Sequence, residues 1–137
     1  QLTFFGAFIY SVFLPLKLEA TFLWIGLFIY MIGIIFVTMA LLAFAATSKD
    51  RPVTKGVYQI SRNPMYLGML MLFIGVGIVC VSWVFLISAV VVTLFMRKVA
   101  VYEEAICIGK YGNAYVEYRN KTPKWIGIPK SEKESNI

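Results

Sequence analysis

The chain contains no histidine, and its 137 residues hold only seven acids and two cysteines. The first absence removes the commonest metal ligand and the commonest general base at neutral pH. Zinc chemistry and Ser-His or Cys-His nucleophilic catalysis therefore drop out of the leading readings. Cys80 and Cys107 stand alone, without the spacing of a disulfide framework or a metal site, so they read as apolar filler and no metal is expected. Charge is scarce too. Only 15% of residues are charged and 60% are hydrophobic, whereas about a quarter of a soluble domain is charged.

What is present explains the deficit. Three uncharged runs cover residues 1–16, 20–48 and 65–96. A hydrocarbon core of about 30 Å takes roughly 20 apolar residues per helix, so the second run can span it with room for tilt. The third is too long for one span and short for two. Gly75, Gly77, Ser82 and Trp83 lie inside it, which predicts a tight hairpin of two short helices. The first run carries lipid-like Phe4, Phe5, Phe8, Ile9, Tyr10, Val12 and Phe13. It lacks the basic leader and small-residue cleavage site of a signal peptide, so it is read as a span. The chain opens on Gln1 rather than Met, which leaves room for an upstream segment.

The expected fold is all-α, a single domain over residues 1–137. It is an integral membrane bundle of four transmembrane helices (2–16, 21–46, 65–81 and 83–101). A loop over 47–64 and a C-terminal region over 102–137 complete it. Of the thirteen basic residues, four lie in the loop (Lys49, Arg51, Lys55, Arg62) and eight follow the hairpin, from Arg97 to Lys133. The positive-inside rule puts both regions on the cytosolic side, giving a multi-pass protein with both termini and the active site cytosolic. The net charge of +6 needs no nucleic acid, because basic flanks of membrane helices contact anionic head groups. The expected partner is the lipid bilayer.

After residue 101 the pattern changes. Glu103, Glu104, Ile106, Ile108, Tyr111, Tyr115 and Tyr118 recur largely at spacings of three and four, predicting an amphipathic helix that continues the fourth span. Thr122-Pro123 ends it. Trp125 and Ile126 read as an interfacial anchor, and residues 131–137 as a polar tail.

Two places offer chemistry. In the segment 54–68, Gly56 permits a turn, Asn63 suits a helix cap and Pro64 suits a first helical turn. The bland reading is a basic loop before a capped helix. The functional one is a helix N-terminus beside Arg62, suited to a carboxylate, with Tyr58 and Tyr66 placed to stack on a purine or a sulfonium. The second place is Glu103-Glu104. Adjacent carboxylates at a membrane boundary oppose each other's ionisation unless partnered. A solvated face paired with Arg97, Lys98 or Lys110 is the bland alternative to a pair that holds hydroxyls, an amino group or a cationic centre.

Together these segments resemble the paired signature of the isoprenylcysteine carboxyl methyltransferase and phospholipid methyltransferase superfamily. Its first element, G-x-Y-x-x-x-R-[HN]-P-x-Y-x-G, is met by Gly56, Tyr58, Arg62, Asn63, Pro64, Tyr66 and Gly68. Its second, E-E followed by Y-G-x-x-Y-x-x-Y and T-P, is met by Glu103, Glu104, Tyr111, Gly112, Tyr115, Tyr118, Thr122 and Pro123. The resemblance covers residues 47–127 and implies methyl transfer from S-adenosyl-L-methionine. The substrate, a lipid or small apolar molecule, would enter from the membrane. It implies that Asp50, Arg51, Pro52, Val53, Tyr58, Arg62, Asn63, Pro64, Met65, Tyr66, Gly68 and Glu103 hold the cofactor; Gly75 and Gly77 echo a further cofactor glycine pair. Glu104, Arg97 and Tyr111 are then the residues expected at the chemical step. An amine acceptor must shed a proton, and Glu104 or a tyrosine would receive it.

Two departures bear on the acceptor. Many relatives have His where this chain has Asn63, whereas eukaryotic phospholipid N-methyltransferases share its Asn-Pro-Met-Tyr. Prenylcysteine carboxyl methyltransferases carry an Arg where this chain has Val99, with Arg97 and Lys98 as neighbouring cations. A phospholipid amine is thereby favoured over a prenylcysteine carboxylate or a small thiol. The rival readings are an NADPH-dependent sterol-reductase-like enzyme, similar at Lys110-Tyr111-Gly112, and a non-catalytic membrane bundle.

Overall fold

The computed structural model describes residues 20–127, together with Gly6 and Ile9. The span expected over 2–16 and the tail expected over 131–137 lie outside the described residues. Among the described residues every regular element is helical: α1 (Ala20–Ala46), a 3₁₀ turn (Gly56–Gln59), α2 (Pro64–Val79), α3 (Trp83–Tyr111) and α4 (Asn113–Lys121). At 1.5 Å per residue, α1 and α3 are each about 40 Å long. Both are long and apolar enough to cross a membrane. The 16 residues of α2 make a shorter helix of about 24 Å.

Among the described residues α1 has no acid in its first turn and no base in its last, so packing holds it in place. Gly26 and Gly33 of α1 meet Gly75 and Gly68 of α2 in antiparallel register. A Cβ on Gly75 would lie 2.8 Å from the Gly26 carbonyl oxygen, and one on Gly33 2.9 Å from that of Gly68. Small residues let two backbones approach this closely, which is how apolar helices associate where lipid competes for every side chain. Gly68 and Gly75 are thus used in helix packing. Gly77 faces the other way, against Leu86. Gly75 and Gly77 thus pack against different helices.

Residues 80–82 close the α2–α3 hairpin. Val81 sits at φ 47°, a left-handed conformation that is rare for a β-branched residue. The Ser82 hydroxyl accepts the Phe85 N–H at 3.4 Å and starts α3. Phe73 stacks on Phe85 across the pair, ring centres 5.4 Å apart. Along α3 the buried residues Phe85, Ala89, Met96 and Ala100 form one inner face. Trp83, Val84, Ile87, Val90, Val91, Leu94 and Phe95 are exposed, an apolar outer face that suits lipid.

Two expectations are corrected. The helix past residue 101 is not one continuous element: α3 runs to Tyr111, the chain turns at Gly112 (φ 59°), and α4 follows. Glycine adopts that φ without the penalty a side chain incurs. Asn63 occupies the cap position of α2 but makes no side-chain cap bond. Its amide instead donates to the Lys124 carbonyl at 3.0 Å.

Candidate functional site

That Asn63 bond belongs to a clasp between the loop and the C-terminal segment. The Arg62 N–H donates to the Pro123 carbonyl at 3.1 Å and the Gly127 N–H to that of Ile60 at 3.2 Å. Ser61, fully buried, adds a 3.4 Å bond from its hydroxyl to the Lys124 carbonyl. Farther back, the Tyr118 hydroxyl donates to the Tyr58 carbonyl at 2.6 Å, which ties α4 under the 3₁₀ turn. Thr122-Pro123 ends α4 as its sequence requires, and the chain then lies along residues 60–63.

The clasp roofs a cavity of about 480 Å³, within the range of small-molecule sites. Leu41 and Phe44 of α1 and Pro52 and Val53 of the loop give it apolar walls. Tyr58, Arg62, Asn63, Pro64, Met65, Tyr66 and Met69 line it from the loop and α2. Glu103, Glu104, Ile106, Cys107 and Tyr111 face it from α3, and Tyr115 and Tyr118 from α4. The first-turn N–H groups of a helix have no intrahelical acceptor, and Met65 and Tyr66 stand there.

Charge in the cavity is concentrated and incompletely satisfied. Arg62 Nη1 lies 3.5 Å from Glu104 Oε1, with the two side chains only 11% and 15% exposed. Lys124 Nζ lies 3.9 Å from Glu104 Oε2. Yet Arg62 Nε and Nη1 and Glu104 Oε1 are buried without a hydrogen-bond partner. Buried polar groups are normally hydrogen-bonded, so this ion pair, too long for a hydrogen bond, leaves donor and acceptor capacity facing the cavity. Glu103 is engaged by the Tyr66 hydroxyl. The Tyr111 hydroxyl donates to the Lys49 carbonyl at 3.3 Å.

Burial pushes the Tyr115 hydroxyl up to about 12, with the Glu104 charge adding to it. Tyr118 is raised by burial and by its neighbour Tyr115. Tyr58 is raised by burial and then by Glu103. These three are neutral donors at neutral pH. The Cys107 thiol is likewise pushed up, first by burial and then by Glu103, so it is not a ready nucleophile.

Of the residues expected at the site, Pro52, Val53, Tyr58, Arg62, Asn63, Pro64, Met65, Tyr66, Glu103, Glu104 and Tyr111 share this cavity. Asp50 and Arg51 do not line it. Asp50 is exposed and accepts a 3.4 Å bond from Ser48. Gly68 packs on α1, and Arg97 lines a separate hollow with Lys98, Val101, Lys124 and Trp125. Sequence reasoning missed Leu41, Phe44, Met69, Ile106 and Cys107 as lining residues. Ile106 and Cys107 follow Glu103 by three and four positions, one helical turn on, and that spacing was the available signal.

The model of the family described as phospholipid methyltransferase matches residues 12–114. The chain belongs to that family. The match contains both elements that meet in the cavity, Tyr58 to Tyr66 and Glu103-Glu104. The chain is also similar to Protein-S-isoprenylcysteine O-methyltransferase B of Arabidopsis thaliana, 38% identical over 78 residues. That alignment covers 56% of this chain and 39% of the relative. Protein-S-isoprenylcysteine O-methyltransferase of Schizosaccharomyces pombe is 33% identical over 79 residues, 56% of this chain and 32% of the relative. The chain therefore spans 39% and 32% of these relatives' lengths. No solved structure matches it. Among the described residues no group of His, Cys, Asp and Glu is placed to hold a metal.

Proposed function

We propose that the chain transfers a methyl group from S-adenosyl-L-methionine to an amine carried by a membrane-dissolved lipid. The observation that carries this reading is the meeting in one cavity of Arg62 and Glu104, a buried ion pair with hydrogen-bonding capacity to spare, in a chain of this family. The residues fit the cofactor. Arg62 and the first turn of α2 suit its carboxylate, Glu103 suits its amino group or ribose, and Tyr58 with Pro52 and Val53 offers surfaces for the adenine. When bound, S-adenosyl-L-methionine supplies a methyl group on a sulfonium that leaves as a neutral thioether.

The protein's contribution is position and the exclusion of water. Glu104 takes the proton that the amine sheds, because Tyr58, Tyr115 and Tyr118 are held protonated by burial. Tyr111 closes the wall through Lys49. An amine is favoured over a carboxylate acceptor because Val99 stands where the prenylcysteine enzymes carry Arg. The proposed setting is a four-span, multi-pass protein with the cavity and both termini cytosolic, the short α2 spanning as half of the hairpin. The exposed apolar faces of α1 and α3 support a lipid surround, and the basic flanks support the orientation.

The test is methyl transfer by protein reconstituted in bilayers with radiolabelled S-adenosyl-L-methionine. Label is expected in extracted phosphatidylethanolamine. Label confined to an added farnesylated cysteine would overturn the amine assignment and leave methyl transfer standing.

A further inference from the structure

A second, more open hollow of about 410 Å³ is lined by Arg97, Lys98, Val101, Lys124 and Trp125. Three of those five are cations. Among the described residues Lys124 pairs with Glu104, while Arg97 and Lys98 have no acid partner. Convergent cations around a concavity concentrate anions there, and the fork of an Arg matches phosphate oxygens. Trp125 beside them has the amphipathic ring favoured at head-group level.

The two cavities share a wall. Lys124 lines the outer one, Glu104 lines the inner one, and their charged atoms are 3.9 Å apart. The wall thus carries the Lys124 ammonium on its outer side and the Glu104 carboxylate, flanked by Arg62, on its inner side. A zwitterion with a phosphate and an ammonium a few ångströms apart complements it. A reacting carboxylate would have to enter the inner cavity. An anion held in the outer hollow is therefore a non-reacting part of the acceptor, which a prenylcysteine lacks and a phospholipid amine possesses.

We propose that Arg97, Lys98 and Lys124 form a phosphate subsite for the lipid whose amine reaches Glu104. The amine half rests on the methyltransferase reading; the phosphate half rests on the hollow itself.

The experiment titrates detergent-solubilised protein with four probes. They are short-chain phosphatidylethanolamine, phosphatidylmethanol of the same chains, inorganic phosphate and farnesylcysteine. The wild type should bind both phospholipids, phosphatidylethanolamine more tightly, and inorganic phosphate more weakly than either. Arg97→Gln/Lys98→Gln should weaken both phospholipids by about tenfold or more, the scale of lost charge-assisted hydrogen bonds. Its circular-dichroism melt and S-adenosylhomocysteine affinity should stay within about twofold-equivalent energies of the wild type, as for surface substitutions. Glu104→Gln should abolish the preference for phosphatidylethanolamine over phosphatidylmethanol. Unchanged phospholipid affinity in the double variant overturns the subsite. So does tighter binding of free phosphate than of lipid, or farnesylcysteine binding that depends on the same two cations. S-adenosylhomocysteine that fails to bind folded wild type contradicts the methyltransferase reading, and the phosphatidylmethanol series still decides the subsite.

Discussion

The buried tyrosines of α4 hold the site by staying neutral. Tyr115 is 6% exposed and packs edge-on against Tyr118, ring centres 5.7 Å apart. An unfolded tyrosine ionises near pH 10, whereas Tyr115 in the folded chain is pushed up to about 12. Between those values the unfolded state has fewer bound protons, so stability falls as pH rises. The contribution is complete below about pH 10 and is lost as pH climbs towards about 12. Thermal melts in detergent across that window should show the fall, and Tyr115→Phe should make it shallower. An identical slope in the variant would contradict the assignment. Much at this scale was legible in the sequence. Arg62 with Asn63-Pro64-Met65-Tyr66 and Glu103-Glu104 stood out because charged and aromatic side chains cluster where long apolar runs begin or end. Lys124 did not, because part of what it contributes is a backbone carbonyl that receives Asn63 and Ser61.

Helix by helix, the packing follows from where side chains are missing. Gly75→Ala would set a Cβ 2.8 Å from the Gly26 carbonyl and from the Tyr30 backbone nitrogen. Backbone atoms cannot swing aside, so the variant should lose about 1–3 kcal/mol, the usual cost of overpacking. Gly109 has nothing within 4 Å of an added Cβ, and in the last turn of α3 Gly109→Ala should gain about 0.4–1 kcal/mol by restricting the unfolded chain. Denaturation of both variants in the same detergent checks the pair; equal shifts would contradict the packing account. The hairpin of α2 and α3 was readable from hydropathy and the small residues at its turn. The break at Gly112 was not, because the three- and four-residue spacing runs through it and only the backbone angle reveals the turn. The capping role expected of Asn63 failed for a related reason: a partner 61 residues away competed for its amide.

For the molecule as a whole, the arrangement is two distant segments brought together by helix packing. α1 and α2 lock through their glycines, α3 carries the two glutamates past the end of the hairpin, and α4 returns the chain to clasp the loop. A cavity results in which Arg62 and Glu104 keep unfilled hydrogen-bonding capacity, beside a hollow that is rich in positive charge. Arg97 and Gly68 illustrate the limit of sequence motifs here: both sit at matched or adjacent positions, yet one faces the hollow and the other packs on α1. The central claim is that the cavity binds an adenosyl cofactor through Glu103. Isothermal titration of detergent-purified protein with S-adenosylmethionine, S-adenosylhomocysteine and NADPH, repeated on Glu103→Ala, tests it most directly. Binding of the two adenosyl compounds alone, weakened by about tenfold or more in the variant, is the expected result. Binding of NADPH, or of none of the three by folded protein, would contradict it.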